Sequence, residues 1–281
     1  MVRDSNAVKY QTYIAPPLAK VGDIAYWNGN SVKTVPLSNW KDSLGTPVGV
    51  VMIGENFLPD GKARIISLTS MNNGNKLQWD TSSDYRTTDS SAPNFNYISG
   101  DYPELEQGIL PSDRTDTDEW LNGPQSQVDS LVKYNSKYIN LTAMIPSPYL
   151  GDKFNPAYSE VIEGGNAFSD FNGLSNTLSL VNEGTRYAAA HACWNYKDAA
   201  NSNLQWYLPA MGELGFLMVR YELINQSIQA VGGTPVENNL FFSSSEYYGT
   251  VSYIWGVLTT NGTTGHGAKN TNLLFRAVSI V

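Results

Sequence analysis

The pair Asn28-Gly29 constrains the fold of this chain more than any other local feature. Both residues tolerate positive φ, and the stretch from Gly22 to Val35 therefore reads as two short strands folded back around them. Two further apolar runs, Pro47 to Ile53 and Ala63 to Leu68, flank a second turn at Pro59-Asp60-Gly61 and predict central strands. Short strands joined by tight turns demand turn-forming residues throughout. The composition supplies them, since Gly, Asn, Ser, Thr and Tyr are abundant and charged residues make up only 16%. With 281 residues and 41% hydrophobic content, the chain can bury a substantial core, as one large domain or two ordinary ones. The expected class is a loop-rich β or α+β protein.

Charge and cysteine usage exclude several roles. A formal charge of −8 leaves no basic footprint for a phosphate backbone, so nucleic acid is not an expected partner. The single cysteine, Cys193, cannot form an intramolecular disulfide framework. No run of about eighteen apolar residues is present to insert into a membrane, and Met1-Val-Arg-Asp-Ser5 leads into no signal-peptide-like segment. Residues 1–20 end in the stiff Ala15-Pro16-Pro17 and read as a connector.

From about 71 to 165 the sequence turns polar, with scattered aromatics and no sustained period, and it reads as a large loop-rich insertion. The acidic residues Asp113, Asp116, Asp118 and Glu119 within it lack calcium-loop spacing. Two helices are predicted beyond it. Residues 184–198 carry Tyr187, Ala188, Ala192 and Tyr196 at helical spacing, and residues 210–230 carry a stripe that includes Leu214, Leu217, Tyr221, Ile224 and Ile228. Gly232-Gly233 ends the second. Strands are expected again at Phe241-Phe242, Tyr253–Leu258 and Leu273–Val281.

Three stretches carry a family likeness. The first is Asp170-Phe-Asn-Gly-Leu-Ser-Asn-Thr177 with the Ala188–Cys193 helix after it; the second, and most specific, is Trp206-Tyr-Leu-Pro-Ala-Met-Gly-Glu-Leu214. The third is Phe242-Ser-Ser-Ser-Glu246, then Trp255, Val257, Gly262, Lys269 and Phe275-Arg276-Ala277-Val278. In this order and spacing they resemble a bacterial and phage branch of the C-type-lectin-like superfamily, which includes variable proteins diversified by retroelements and shares its fold with formylglycine-generating enzymes. The resemblance implies an α+β domain over 21–281, with two helices packed on short mixed or antiparallel sheets, an insertion, and pairing between the first and last strands. It also implies a variable ligand-binding region over about 247–272. Physically, Trp206 is an apolar anchor, Pro209 stiffens the start of the following helix, and Glu213 complements its dipole. Arg276 is expected to pair with a carboxylate, Glu246 or Glu213.

Between Tyr247 and Asn272, 19 of 26 residues are Tyr, Thr, Asn, Ser, Gly or His, and none is acidic. Tyrosine gives large contact area with few rotatable bonds, and small polar residues give adaptable hydrogen bonding, as in paratopes. Scrambling of Asn codons at their adenines, the habit of retroelement-diversified relatives, yields this same mixture. With Trp255 and Val257 pointing inward, Ile254, Gly256 and Leu258 point the other way. Thr259 departs from the family's large apolar residue at that place. The expected ligand-facing set is Tyr247, Tyr248, Thr250, Ser252, Tyr253, Gly256, Leu258, Thr260, Thr263, Thr264, His266, Asn270 and Asn272.

Catalysis has little to stand on. Formylglycine-generating activity resembles chemistry built on two cysteines, and the chain has one. Two histidines, His191 and His266, fall short of a zinc set, and Ser244, His266 and Glu246 lie outside any G-x-S-x-G elbow. The Glu-Pro-Asn and Trp-Asn-Asp tripeptides of calcium-dependent sugar binding are missing. The chain therefore reads as a non-enzymatic ligand- or receptor-binding protein without cofactor or metal, displayed on a phage virion, such as on its tail, or on a bacterial surface. Its expected partner is a protein or glycan receptor on a target cell, and a homo-oligomer fits phage relatives. The alternative is a fixed-sequence adhesin or structural tail subunit that uses the same face for subunit contacts.

Overall fold

The computed structural model describes residues 18–55, 58, 60–83, 171–219, 221–246, 252–259 and 263–281. Within these the protein is α+β, with antiparallel sheets and four α-helices. The first hairpin pairs β1 (Ile24–Trp27) with β2 (Val32–Val35), with Trp27 opposite Val32, so its loop has four residues rather than two. Asn28 shapes that loop: its Oδ1 accepts the N–H groups of Asn30 (3.0 Å) and Ser31 (2.9 Å), and Gly29 takes φ +95°.

The predicted central strands are central. β3 (Thr46–Ile53) and β4 (Arg64–Ser67) lie in a six-stranded sheet ordered β2-β1-β3-β4-β9-β5, completed by β9 (Val278–Ile280) and β5 (Trp206–Tyr207). The last strand thus meets β4 and β5, whereas the first strand, β1, pairs with β2 and β3. Side chains alternate between two buried clusters: Ile24, Val50 and Ile66 face one, while Ala25, Val51 and Ile65 face the other. Both faces are covered, so these strands read as continuous apolar runs.

Helices supply the covers. The predicted 184–198 helix is shorter, α2 (Ala188–Trp194), and it is preceded by α1 (Gly173–Glu183). The predicted 210–230 helix is described as α3 (Met211–Val219) and α4 (Tyr221–Ala230), with residue 220 between them outside the described residues. α4 ends as expected: the N–H of Gly232 reaches Gln229 O (3.0 Å) and that of Gly233 reaches Ile228 O (2.9 Å), with Gly232 at φ +76°. That is a Schellman cap, which satisfies the last carbonyls. Cys193 is fully buried in α2, and burial pushes its thiol pKa far above the ordinary value.

The start of the presumed insertion belongs to the core. Met71 and Trp79 are buried, and Leu77 exchanges backbone hydrogen bonds of 2.8 Å with Leu273. Residues 84–165 of that insertion lie outside the described residues, as do residues 1–17 of the connector.

Three further antiparallel strands form the second sheet: β6 (Leu240–Glu246), β7 (Tyr253–Leu258) and β8 (Thr263–Ala268), with β7 central. The Trp206–Leu214 motif connects the two sheets' covers. Thr177 Oγ1 accepts Leu208 N–H (2.9 Å) and donates to Leu208 O (3.1 Å), which docks α1 on the strand leading to α3. Glu213 does more than complement a dipole. Fully buried, it accepts Ala210 N–H (2.9 Å), Tyr207 Oη–H (2.7 Å) and Arg64 Nε–H (3.3 Å).

Candidate binding face

β6 builds the base of the face. Its register shifts between Phe242 and Glu246, and the serines there satisfy the backbone that the irregularity leaves open. Ser243 Oγ donates to Trp255 O (3.0 Å), Ser244 Oγ accepts from Asn176 (3.1 Å), and Ser245 Oγ accepts Met211 N–H (2.9 Å), capping α3. Trp79 Nε1 donates to Ser243 O (3.0 Å). A serine run that looks like surface is therefore fully buried.

β7 separates support from presentation. Trp255 and Val257 join the cluster under α3 and α4, whereas Ile254 joins the opposite cluster. Thr259, fully buried, stands where an apolar residue was expected: its Oγ1 donates to Glu237 O (2.6 Å) and accepts Asn239 N–H (2.9 Å). Gly256 requires a correction. It is buried, and a Cβ there would lie 2.5 Å from Phe241 O and 2.7 Å from Phe242 Cδ1; a Cβ at Gly267 would lie 2.5 Å from Phe242 Cζ. The Phe242 ring lies across both glycines, so Gly256 is support rather than ligand contact. Gly256→Ala is expected to destabilise the fold by about 1–3 kcal/mol through overpacking, read as a shift of the urea midpoint.

Other members of the predicted face fall as follows. Ser252, Tyr253, Leu258, His266 and Asn270 are half-buried, and Asn272 is exposed. Tyr253 and His266 pack with ring centroids 5.4 Å apart, and His266 meets the buried Trp255 edge-on at 6.1 Å, so one half-buried platform rests on a core tryptophan. Thr263 and Thr264 lie opposite Leu258 and Val257 in the β7–β8 ladder. Tyr247, Tyr248, Thr250 and Thr260 lie outside the described residues. A polar groove of about 680 Å³ between α4 and residues 234–238, lined by Tyr221, Asn225 and Glu237 among others, contains none of the predicted set.

Buried charges beneath the face are paired, and their partners differ from those expected. Lys269 and Glu246, 2% and 1% exposed, form an ion pair, with the ammonium 5.0 Å from the centroid of the Trp79 ring. Glu213 is held by Arg64. Arg276, 1% exposed, donates to Ser67 O (3.1 Å), Thr234 O (2.7 Å) and Pro235 O (2.7 Å), and its carboxylate partner is Glu237 at 3.4 Å rather than Glu246 or Glu213. Sequence reasoning passed over Lys269 as part of the site's architecture. The signal was there: it is the one Lys, Arg, Asp or Glu between Tyr247 and Asn272, and a solitary charge in such a stretch needs a partner from elsewhere.

Ser244, Glu246 and His266 each serve a separate structural contact, to Asn176, Lys269 and the aromatic platform. Among the described residues, no group of three or more His, Cys, Asp or Glu side chains could hold a metal ion, and no helix is long and apolar enough to cross a membrane. No family model, curated protein or solved structure matches this chain.

Proposed function

We propose that this chain is a ligand- or receptor-binding protein of C-type-lectin-like fold, displayed on a phage virion or a bacterial surface, whose C-terminal face recognises a protein or glycan receptor without altering it. One observation carries the reading. Among the described residues of 252–272, buried supports (Trp255, Gly256, Val257, Thr259, Lys269) alternate with half-buried or exposed polar and aromatic groups (Ser252, Tyr253, His266, Asn270, Asn272). A rigid frame under exchangeable side chains suits reversible recognition, since little ordering entropy is lost on contact.

The test lies first in the surrounding DNA. A near-copy of the coding region that differs at template adenines, beside a reverse transcriptase gene, is expected, with Tyr253, His266, Asn270 and Asn272 varying while Gly256, Thr259 and Lys269 stay constant. Variation falling on the buried supports as often as on the exposed set would sink the reading. A binding experiment complements it: Tyr253→Ala lowers affinity for a captured cell-surface receptor by about 1–3 kcal/mol and leaves thermal unfolding unchanged. Binding at full strength by this variant would remove Tyr253 from the contact.

A further inference from the structure

We infer that Lys269 is the positioning residue of the binding face, a clasp that holds Glu246 on β6 and Ser252 ahead of β7 in fixed places; this rests on the binding reading above. Three different groups of this one residue hold three separate stretches. Its ammonium pairs with Glu246, the last residue of β6. Its N–H donates to Ser252 O (3.0 Å), immediately before β7, and its carbonyl accepts the N–H groups of Trp79 and Asp80 (both 3.0 Å).

The Trp79–Asp80 stretch is itself anchored. Asp80 accepts a two-pronged contact from Arg186, at 3.1 Å from Nε and 2.5 Å from Nη2, and Trp79 meets Tyr187 edge-on at 5.2 Å, just ahead of α2. Glu246 and Ser252 are thus referred, through Lys269, to the helical side of the core. They bracket five positions that include Tyr247, Tyr248 and Thr250.

Energetics say why the pair is ionic. Desolvating two charges costs several kcal/mol per ion, and an apolar pair of similar volume commonly gives equal or greater stability. A buried ion pair at this point is better explained by geometry than by stability: the carboxylate and ammonium must meet, whereas apolar side chains could slide. Residues between Glu246 and Ser252 can then be exchanged while both ends stay in place.

The test uses the full chain carrying Glu246→Gln together with Lys269→Met, an uncharged pair of similar size. The expected result is a thermal midpoint close to that of the parent, with amide exchange at Trp79, Asp80 and Lys269 faster by about tenfold or more and exchange in β3 and β4 unchanged. A second arm randomises Tyr247, Tyr248 and Thr250 in both backgrounds; most sequences fold in the parent, and a several-fold smaller share folds in the double variant. Unchanged exchange at the three amides overturns the clasp. So does acceleration of all amides together with a fall in midpoint, which would make Lys269 a stabiliser and nothing more. Variation in the coding region that falls on the buried supports as often as on the exposed set would defeat the binding reading and leave both exchange outcomes interpretable.

Discussion

Glu213→Ala is expected to remove about 3–5 kcal/mol of folding stability, the cost of breaking a buried charged network by deleting one member. The carboxylate is fully buried and serves three donors from three elements: Arg64 on β4, Tyr207 on β5, and Ala210 at the head of α3. Burial, and after it the charge of Glu213, raises the Tyr207 pKa well above the ordinary value, which favours the neutral hydroxyl that donates to that carboxylate. Burial also opposes the Arg64 charge, but the carboxylates of Asp60 and Glu213 favour it, and its pKa lies above the usual arginine value. Alanine would leave that guanidinium with the Lys62 carbonyl (3.1 Å) and with Asp60, a carboxylate that is 40% exposed. Gly173 shows how tightly the centre is packed, since a Cβ there would lie 2.6 Å from Ala210 N. Urea titration gives the measurement, and a loss below about 1 kcal/mol would show that water replaces the carboxylate.

The second large effect is at Lys269. Lys269→Met alone removes the ammonium paired with Glu246, whose carboxylate is 1% exposed, and should cost about 3–5 kcal/mol. Adding Glu246→Gln is expected to recover most of that loss, because the buried charge disappears with its partner. The four proteins form a double-mutant cycle, and the coupling energy is the quantity of interest. Additive losses would mean that the two side chains act independently, contrary to their contact.

Much of the frame was legible because local chemistry and tertiary context agree there. Asn28-Gly29 makes a hairpin, Thr46–Ile53 and Arg64–Ser67 are buried strands, and Gly232-Gly233 ends a helix, each for a reason visible within a few residues. What escaped depends on distant partners. α1 reads Gly-Leu-Ser-Asn-Thr-Leu-Ser-Leu-Val-Asn-Glu, poor in strong helix formers, and its buried Asn176 and Thr177 bind Ser244 and Leu208 far along the chain. Arg276 was matched to the wrong acid because sequence shows which charges exist, not which are neighbours.

In the binding region, composition conveyed polarity but not depth. Gly256 and Thr259 share the small, polar vocabulary of the exposed residues, yet one lies beneath the Phe242 ring and the other bonds Glu237 and Asn239. Alternation along β7 put Trp255 and Val257 on a common side; it could not reveal that the opposite side is also covered.

The position of β9 has a consequence for biosynthesis. Residues 278–280 fill a slot between β4 and β5, two strands that are translated earlier and that do not otherwise pair. A nascent chain that has emerged as far as β8 holds that slot open, with Ile65, Ile66 and Trp206 lacking a neighbour strand on one side. The larger sheet therefore cannot close until residues 278–280 have emerged, so its completion waits on a segment synthesised long after β4.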